Sequence, residues 1–201
     1  ECDAMIAACA AAHQKLFVAY YRRAMPRFEK VRELATGGAI GRLTGVNYRF
    51  ATSAHLTNPP PVATGSPPVM LRVNAENSGG GLLLDVGSHV LDFLDHCVGP
   101  LEDVHGRAAR HSGAIDVEDT VALTFRTASG ALGSAAWNFC TLAKEDTLEF
   151  LGTAGRVSFN VFNADPIRLE TARGVESFAI ANPEHVAQPL IQAIVDELLG
   201  R

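Results

Sequence analysis

Asp119-Thr120-Val121-Ala122-Leu123-Thr124-Phe125-Arg126, the turn Ser129-Gly130, and the return run from Ala131 to Phe139 decide the fold. Alternation puts Val121, Leu123 and Phe125 on one face of the first run. It puts Ala135, Trp137 and Phe139 on one face of the second, and Ser129-Gly130 suits a hairpin turn. A second hairpin follows, with Thr147 to Leu151 and Arg156 to Phe159 turning at Thr153-Ala154-Gly155. Two or three more short strands are expected up to Ile180. Upstream, Gly41 to Phe50 alternates as a strand. Pro26 opens a helix in which Phe28, Val31 and Leu34 recur at helical spacing, and Gly37-Gly38 stops it. Helices followed by a run of hairpins predict an α+β fold: an open, mostly antiparallel β-sheet with helices packed on one face. The other face is read two ways. A second copy of the sheet covers it, making a homo-oligomer, or it is solvated, since Thr147, Glu149, Arg156 and Ser158 are polar.

The 201 residues are 47% hydrophobic and 19% charged, which excludes disorder along most of the chain. A net charge of -5 with unclustered Lys and Arg argues against nucleic acid and against an anionic membrane surface. No apolar run approaches the roughly 20 residues of a membrane helix. Cys2, Cys9, Cys97 and Cys140 form no CxxC and no disulfide framework, so a reducing cytoplasm is the expected location. Five prolines (Pro59, Pro60, Pro61, Pro67, Pro68) mark residues 52 to 70 as a long loop, either a binding loop or a surface excursion.

Gly79-Gly80-Gly81 opens a helix expected to run to about Val98, closed by Gly99-Pro100. On a wheel of 100° per residue, Asp85, His89, Asp92 and His96 form one narrow polar stripe. Apolar residues fill almost all the rest, so the helix should be largely buried. Carboxylates and imidazoles on a buried helix need a reason. Each is a candidate proton-transfer group facing a cleft. Two other readings stay open. Asp85 bonds nearby backbone while His89 is a satisfied core histidine, or the Asp/His pair at i,i+4 chelates a metal. No HExxH or CxxC supports the metal.

The first residues are alanine-rich and helix-favouring, and Leu16 to Tyr21 reads as a buried strand. Helical residues from about His185 to Leu199 precede Gly200-Arg201. A helix followed at once by a buried strand is expected to be the last unit of an α/β domain cut off upstream. The abrupt stop at Arg201 suggests truncation there too.

The chain resembles the C-terminal half of the glucose-fructose oxidoreductase / inositol dehydrogenase family (Gfo/Idh/MocA). The resemblance is carried by Phe17-Val18-Ala19-Tyr20-Tyr21-Arg22-Arg23 with Pro26, by Gly38-Ala39-Ile40-Gly41, and above all by the run from Gly79 to Asp92. Glu118-Asp119, Trp137-Asn138-Phe139 and Gly152-Thr153-Ala154-Gly155-Arg156 follow in order. The resemblance implies a glyceraldehyde-3-phosphate-dehydrogenase-like C-terminal domain, and a whole protein that is an NAD- or NADP-dependent oxidoreductase of a sugar, polyol or related compound. His89 would be its general acid/base, Asp85 would orient the ring or help bind substrate, and Arg72 and Arg22 would lie on the substrate side. Residues 1–22 would be the last helix and strand of a Rossmann domain, and residues 23–201 the substrate-binding and oligomerisation domain.

Departures limit what the chain does by itself. There is no GxGxxG after a first strand. The family's Glu-Lys-Pro motif is missing, and Leu71 stands where the family often has Trp. No cofactor-binding residue and no metal ligand is therefore assigned, no cofactor is expected bound, and the chain is expected to be inactive alone. The alternative is a non-catalytic dimerisation or ligand-binding module with a structural Asp/His helix.

Overall fold

The computed structural model describes residues 1–53, 81–113 and 115–201. Helix α1 spans Cys2–Ala11. A short 3-10 turn, Tyr21–Ala24, leads into α2, Pro26–Thr36. Strand β1 is Leu43–Ala51. A π-helical turn, Leu83–Gly87, runs directly into α3, Ser88–Val98. Strands β2 (Leu101–Ala109), β3 (Thr120–Thr127), β4 (Leu132–Asn138), β5 (Glu145–Gly152), β6 (Gly155–Phe159), β7 (Ile167–Thr171) and β8 (Gly174–Phe178) follow, and α4 is Gln188–Leu198.

The strands form one eight-stranded sheet in the order β2-β3-β4-β1-β5-β6-β7-β8. Only β1 and β4 pair in parallel; the other neighbours are antiparallel. The expected α+β architecture is therefore the observed one. Both hairpins turn where alternation placed them. Val121, Phe125, Ala135, Trp137, Leu148, Phe150, Val157 and Phe159 are all buried, on the face that carries the helices.

Helix α2 lies over β6 and β7, and α3 lies beside α2 and against β2. The seam is aromatic. The Phe28 ring stands edge-on to Phe93 at 4.9 Å and to Phe159 at 5.4 Å. Burial of each such side chain is worth about 1.5–3 kcal/mol. Helix α3 ends at Gly99, whose φ of 77° is a left-handed conformation that glycine adopts without steric cost. The opposite sheet face is polar and laced with ion pairs: Arg49 to Glu145 at 2.6 Å, and Arg156 to Glu149 and Glu170 at 3.1 and 3.0 Å.

Two expectations are corrected. Leu16 to Tyr21 does not form a buried strand. Residues 14–20 have no regular structure, and Leu16, Phe17 and Val18 are exposed. A strand is held by its ladder partners, and no strand of the described sheet pairs with residues 14–20. Helix α1 buries no residue. The helix carrying the polar stripe is not α-helical from its start, because its first turn is π-helical. The helix is otherwise largely buried, as expected, with Leu84 at 55% exposure an exception. Arg72, Gly79, Gly80 and the proline-rich residues 54–70 lie outside the described residues.

Candidate active site

The π turn lies where the stripe begins. A π turn inserts an extra residue into the helical spiral, and such turns recur at functional sites. Asp85 sits inside it and is half-buried; its carbonyl accepts the Ser88 hydroxyl at 3.4 Å. His89 follows one turn later, at the start of α3.

The stripe faces the segment from Tyr20 to Glu29, which takes up its members one by one. His96 meets the Glu29 carboxylate at 3.2 Å. Asp92 receives two hydrogen bonds from the Arg23 guanidinium, that from Nε at 3.1 Å. His89 meets the edges of Tyr20 and Tyr21, each 5.8 Å away between ring centroids. His89 is half-buried and is not enclosed by apolar groups alone, because Arg22 and Asp85 act on it.

Among the described residues three buried side-chain nitrogens lack a hydrogen-bond partner: Nδ1 of His89 and Nε of Arg22 here, and Nε1 of Trp137 in the core. Buried polar atoms in native proteins are almost always satisfied, so an orphan pair marks a place for a ligand or an ordered water. Desolvation holds the His89 pKa below its usual value. The Arg22 charge pushes the same way, while Asp85 and Asp92 oppose it. The ring is thus biased to the neutral form, which can accept a proton.

Arg22 is seated by the loop between β6 and β7. It donates to the Val161 carbonyl at 2.8 Å and lies 4.5 Å from the centre of the Phe162 ring. Burial lowers its pKa from the usual value, with Tyr21, Asp146 and Tyr48 opposing. Three expected residues, Asp85, His89 and Arg22, thus come together. Sequence reading missed Asp146, Arg27 and Phe162, which build the floor under Arg22. The available signal was weak: buried charges are rare, and spacing does not reveal which charges are buried.

A groove of about 500 Å³ beside α3 is lined by Tyr20, Ser88, Leu91, Asp92, Leu101 and Leu123. His89 and Asp85 do not line it. Among the described residues no three His, Cys, Asp or Glu side chains converge to hold a metal ion.

A model of the GFO/IDH/MocA C-terminal domain matches residues 28–158. The chain belongs to this family. It is 28% identical over 200 residues to Oxidoreductase P35 of Formosa agariphila, covering all of this chain and 60% of that protein. It is 26% identical over 180 residues to the levoglucosan dehydrogenase of Pseudarthrobacter phenanthrenivorans, covering 77% of this chain and 44% of that one. Among solved structures, the aldose-aldose oxidoreductase of Caulobacter crescentus, complexed with glycerol, superposes with a TM-score of 0.78 at 21% identity. That match covers all of this chain and 58% of the other. A levoglucosan dehydrogenase in complex with NADH and levoglucosan superposes with a TM-score of 0.69 at 22% identity, covering 89% and 54%. The chain thus spans about 60% or less of the length of these curated relatives.

The chain has no GxGxxG, the glycine-rich turn between a strand and a helix N-terminus that cradles a dinucleotide pyrophosphate in a Rossmann domain. Among the described residues no helix is long and apolar enough to cross a membrane.

Proposed function

We propose that this domain forms the substrate side of an NAD- or NADP-dependent oxidoreductase that acts on a hydroxyl or carbonyl group of a sugar, polyol or related compound. The carrying observation is the buried, unpartnered Nδ1 of His89 beside Arg22, on a ring biased to the neutral form. In oxidation His89 takes the hydroxyl proton, and in reduction it returns one. Asp85, one turn earlier, favours the imidazolium that forms and so assists proton uptake. Arg22 and Arg72 bind substrate oxygen. The domain handles the proton, and the nicotinamide belongs to a Rossmann domain that this chain does not supply, so the chain alone is inactive.

Residues 1–22 are the seam with that domain. Leu16, Phe17 and Val18 are exposed there, an apolar surface that a second domain can cover. Copies of the domain meet through the open sheet face, where Leu132 is 68% exposed. The four cysteines are free, in keeping with a reducing cytoplasm.

The test uses the full-length protein. His89→Ala is expected to cut turnover about 100-fold or more with cofactor binding intact, the usual size of a lost general base. Unchanged turnover removes His89 from the chemistry. It would leave the alternative of a non-catalytic dimerisation or ligand-binding module, which the packing of Tyr20 and Tyr21 on His89 favours. Titrating the 201-residue chain with NADH and NADPH, with sedimentation on the same sample, tests the rest. No binding and a dimer are expected; saturable binding would place the cofactor site in this chain.

A further inference from the structure

The chain from Asn160 to Asp165 joins β6 to β7 without regular structure. Two buried charges take up its backbone polarity. Asp146, near the start of β5 and 5% exposed, accepts the backbone N–H groups of Val161 at 3.1 Å, Phe162 at 2.6 Å and Asn163 at 3.3 Å. It also accepts the Tyr48 hydroxyl at 3.2 Å. Arg27, 2% exposed, donates to the carbonyls of Asn160, Asn163 and Asp165 at 2.8, 2.6 and 2.9 Å. Charge-assisted bonds of this kind are about twice as strong as neutral ones. The loop is therefore held from both sides.

Val161 and Phe162 are shared between two groups. Their N–H groups go to Asp146. The Val161 carbonyl and the Phe162 ring go to Arg22. The Tyr21 ring is near both the Arg22 guanidinium, 5.4 Å from its centre, and the His89 ring, 5.8 Å away between centroids. We propose that Asp146 is a positioning residue for the active site: by fixing the Val161–Phe162 backbone it seats Arg22 against His89. The proposal rests on the functional reading above only in calling this place an active site. The physical link from Asp146 to His89 stands apart from it.

The sign of one measurement separates this link from a direct field. Among the described residues the charged groups acting on His89 are Arg22, Asp85 and Asp92, and the neighbouring rings are the phenols of Tyr20 and Tyr21. Removing the Asp146 charge acts directly by disfavouring the imidazolium, which lowers the His89 titration midpoint. Unseating Arg22 removes a cation and raises it.

The experiment is an NMR titration of His89 in the 201-residue chain, with its signal assigned by loss in His89→Gln. Arg22→Gln and Asp146→Asn are each expected to raise the midpoint, on the order of half a pH unit. The double variant should rise little beyond Arg22→Gln alone. Phe162→Leu keeps the carboxylate and removes the ring under the guanidinium. It is expected to raise the midpoint by less, and it decides the matter if Asp146→Asn does not fold. An unchanged or lowered midpoint in Asp146→Asn, an unchanged one in Phe162→Leu, or no response to Arg22→Gln overturns the proposal. His89→Ala turnover tests the catalytic reading separately, so the two failures are distinguishable.

Discussion

Arg23 closes on Asp92 with two hydrogen bonds and withdraws that carboxylate from the stripe it shares with His89. The Asp92 side chain is 7% exposed, whereas that of Arg23 is 37% exposed. Arg23→Met strands a mostly buried carboxylate. The expected cost is about 1–3 kcal/mol, read as a lower urea midpoint. A change under about 0.5 kcal/mol would show that the pair is as weak as an ordinary surface bridge.

The depressed pKa of His89 makes stability depend on pH with a definite sign. The unfolded chain binds a proton at this histidine more readily than the folded chain does. Stability is therefore complete above the unfolded pKa of about 6.5 and falls as the pH drops through it toward the folded value. His89→Gln should flatten the decline in thermal midpoint between about pH 7 and pH 5. An identical slope in both proteins would show that His89 titrates alike folded and unfolded.

Asp119 ties the segment after β2 to the start of β3. Its carboxylate accepts the N–H groups of His111 at 3.0 Å and Ser112 at 2.7 Å, and the Thr120 hydroxyl at 3.1 Å. Burial works against its charge, but these bonds outweigh it and hold the pKa down at about 2. The stabilisation is present above the unfolded pKa of about 3.9 and is lost as the pH falls toward the folded value. Asp119→Asn should cost about 1–3 kcal/mol near neutral pH. That difference from the wild type should shrink as the sample is acidified below about pH 4.

Two glycines separate a rigid neighbour from a yielding one. A methyl group on Gly152 would lie 2.1 Å from the Ile40 carbonyl oxygen, and backbone cannot step aside. On Gly87 it would lie 2.5 Å from the end of the Leu83 side chain, which can rotate. Gly152→Ala should destabilise by about 1–3 kcal/mol, and Gly87→Ala by less than about 1 kcal/mol. Equal denaturation midpoints for the two variants would contradict this ordering.

The strands of the two central hairpins were legible because alternation is a local property. Val121, Phe125 and Trp137 must share the buried face whatever packs on it. The stripe of Asp85, His89, Asp92 and His96 was legible for the same reason, since helical spacing sets which side chains share a face. The π turn was not legible, because the residue types of Leu83 to Gly87 do not mark where an extra residue enters the spiral. Leu16 to Tyr21 was misread because strand-forming residue types say nothing about whether a partner strand is at hand.

Sequence alone therefore determined the α+β class, the hairpin turns and buried faces, the helix bearing His89 and the family resemblance. Each rests on residue type and spacing along the chain. The tertiary structure decided which members of the stripe are engaged by charged partners. Arg23 and Glu29 engage Asp92 and His96, while His89 keeps an unpartnered nitrogen beside Arg22. It also decided that Asp146, 124 residues beyond Arg22 in sequence, belongs to the same construction. Partners that distant meet only when the sheet brings their strands and loops together, and no local periodicity encodes that meeting.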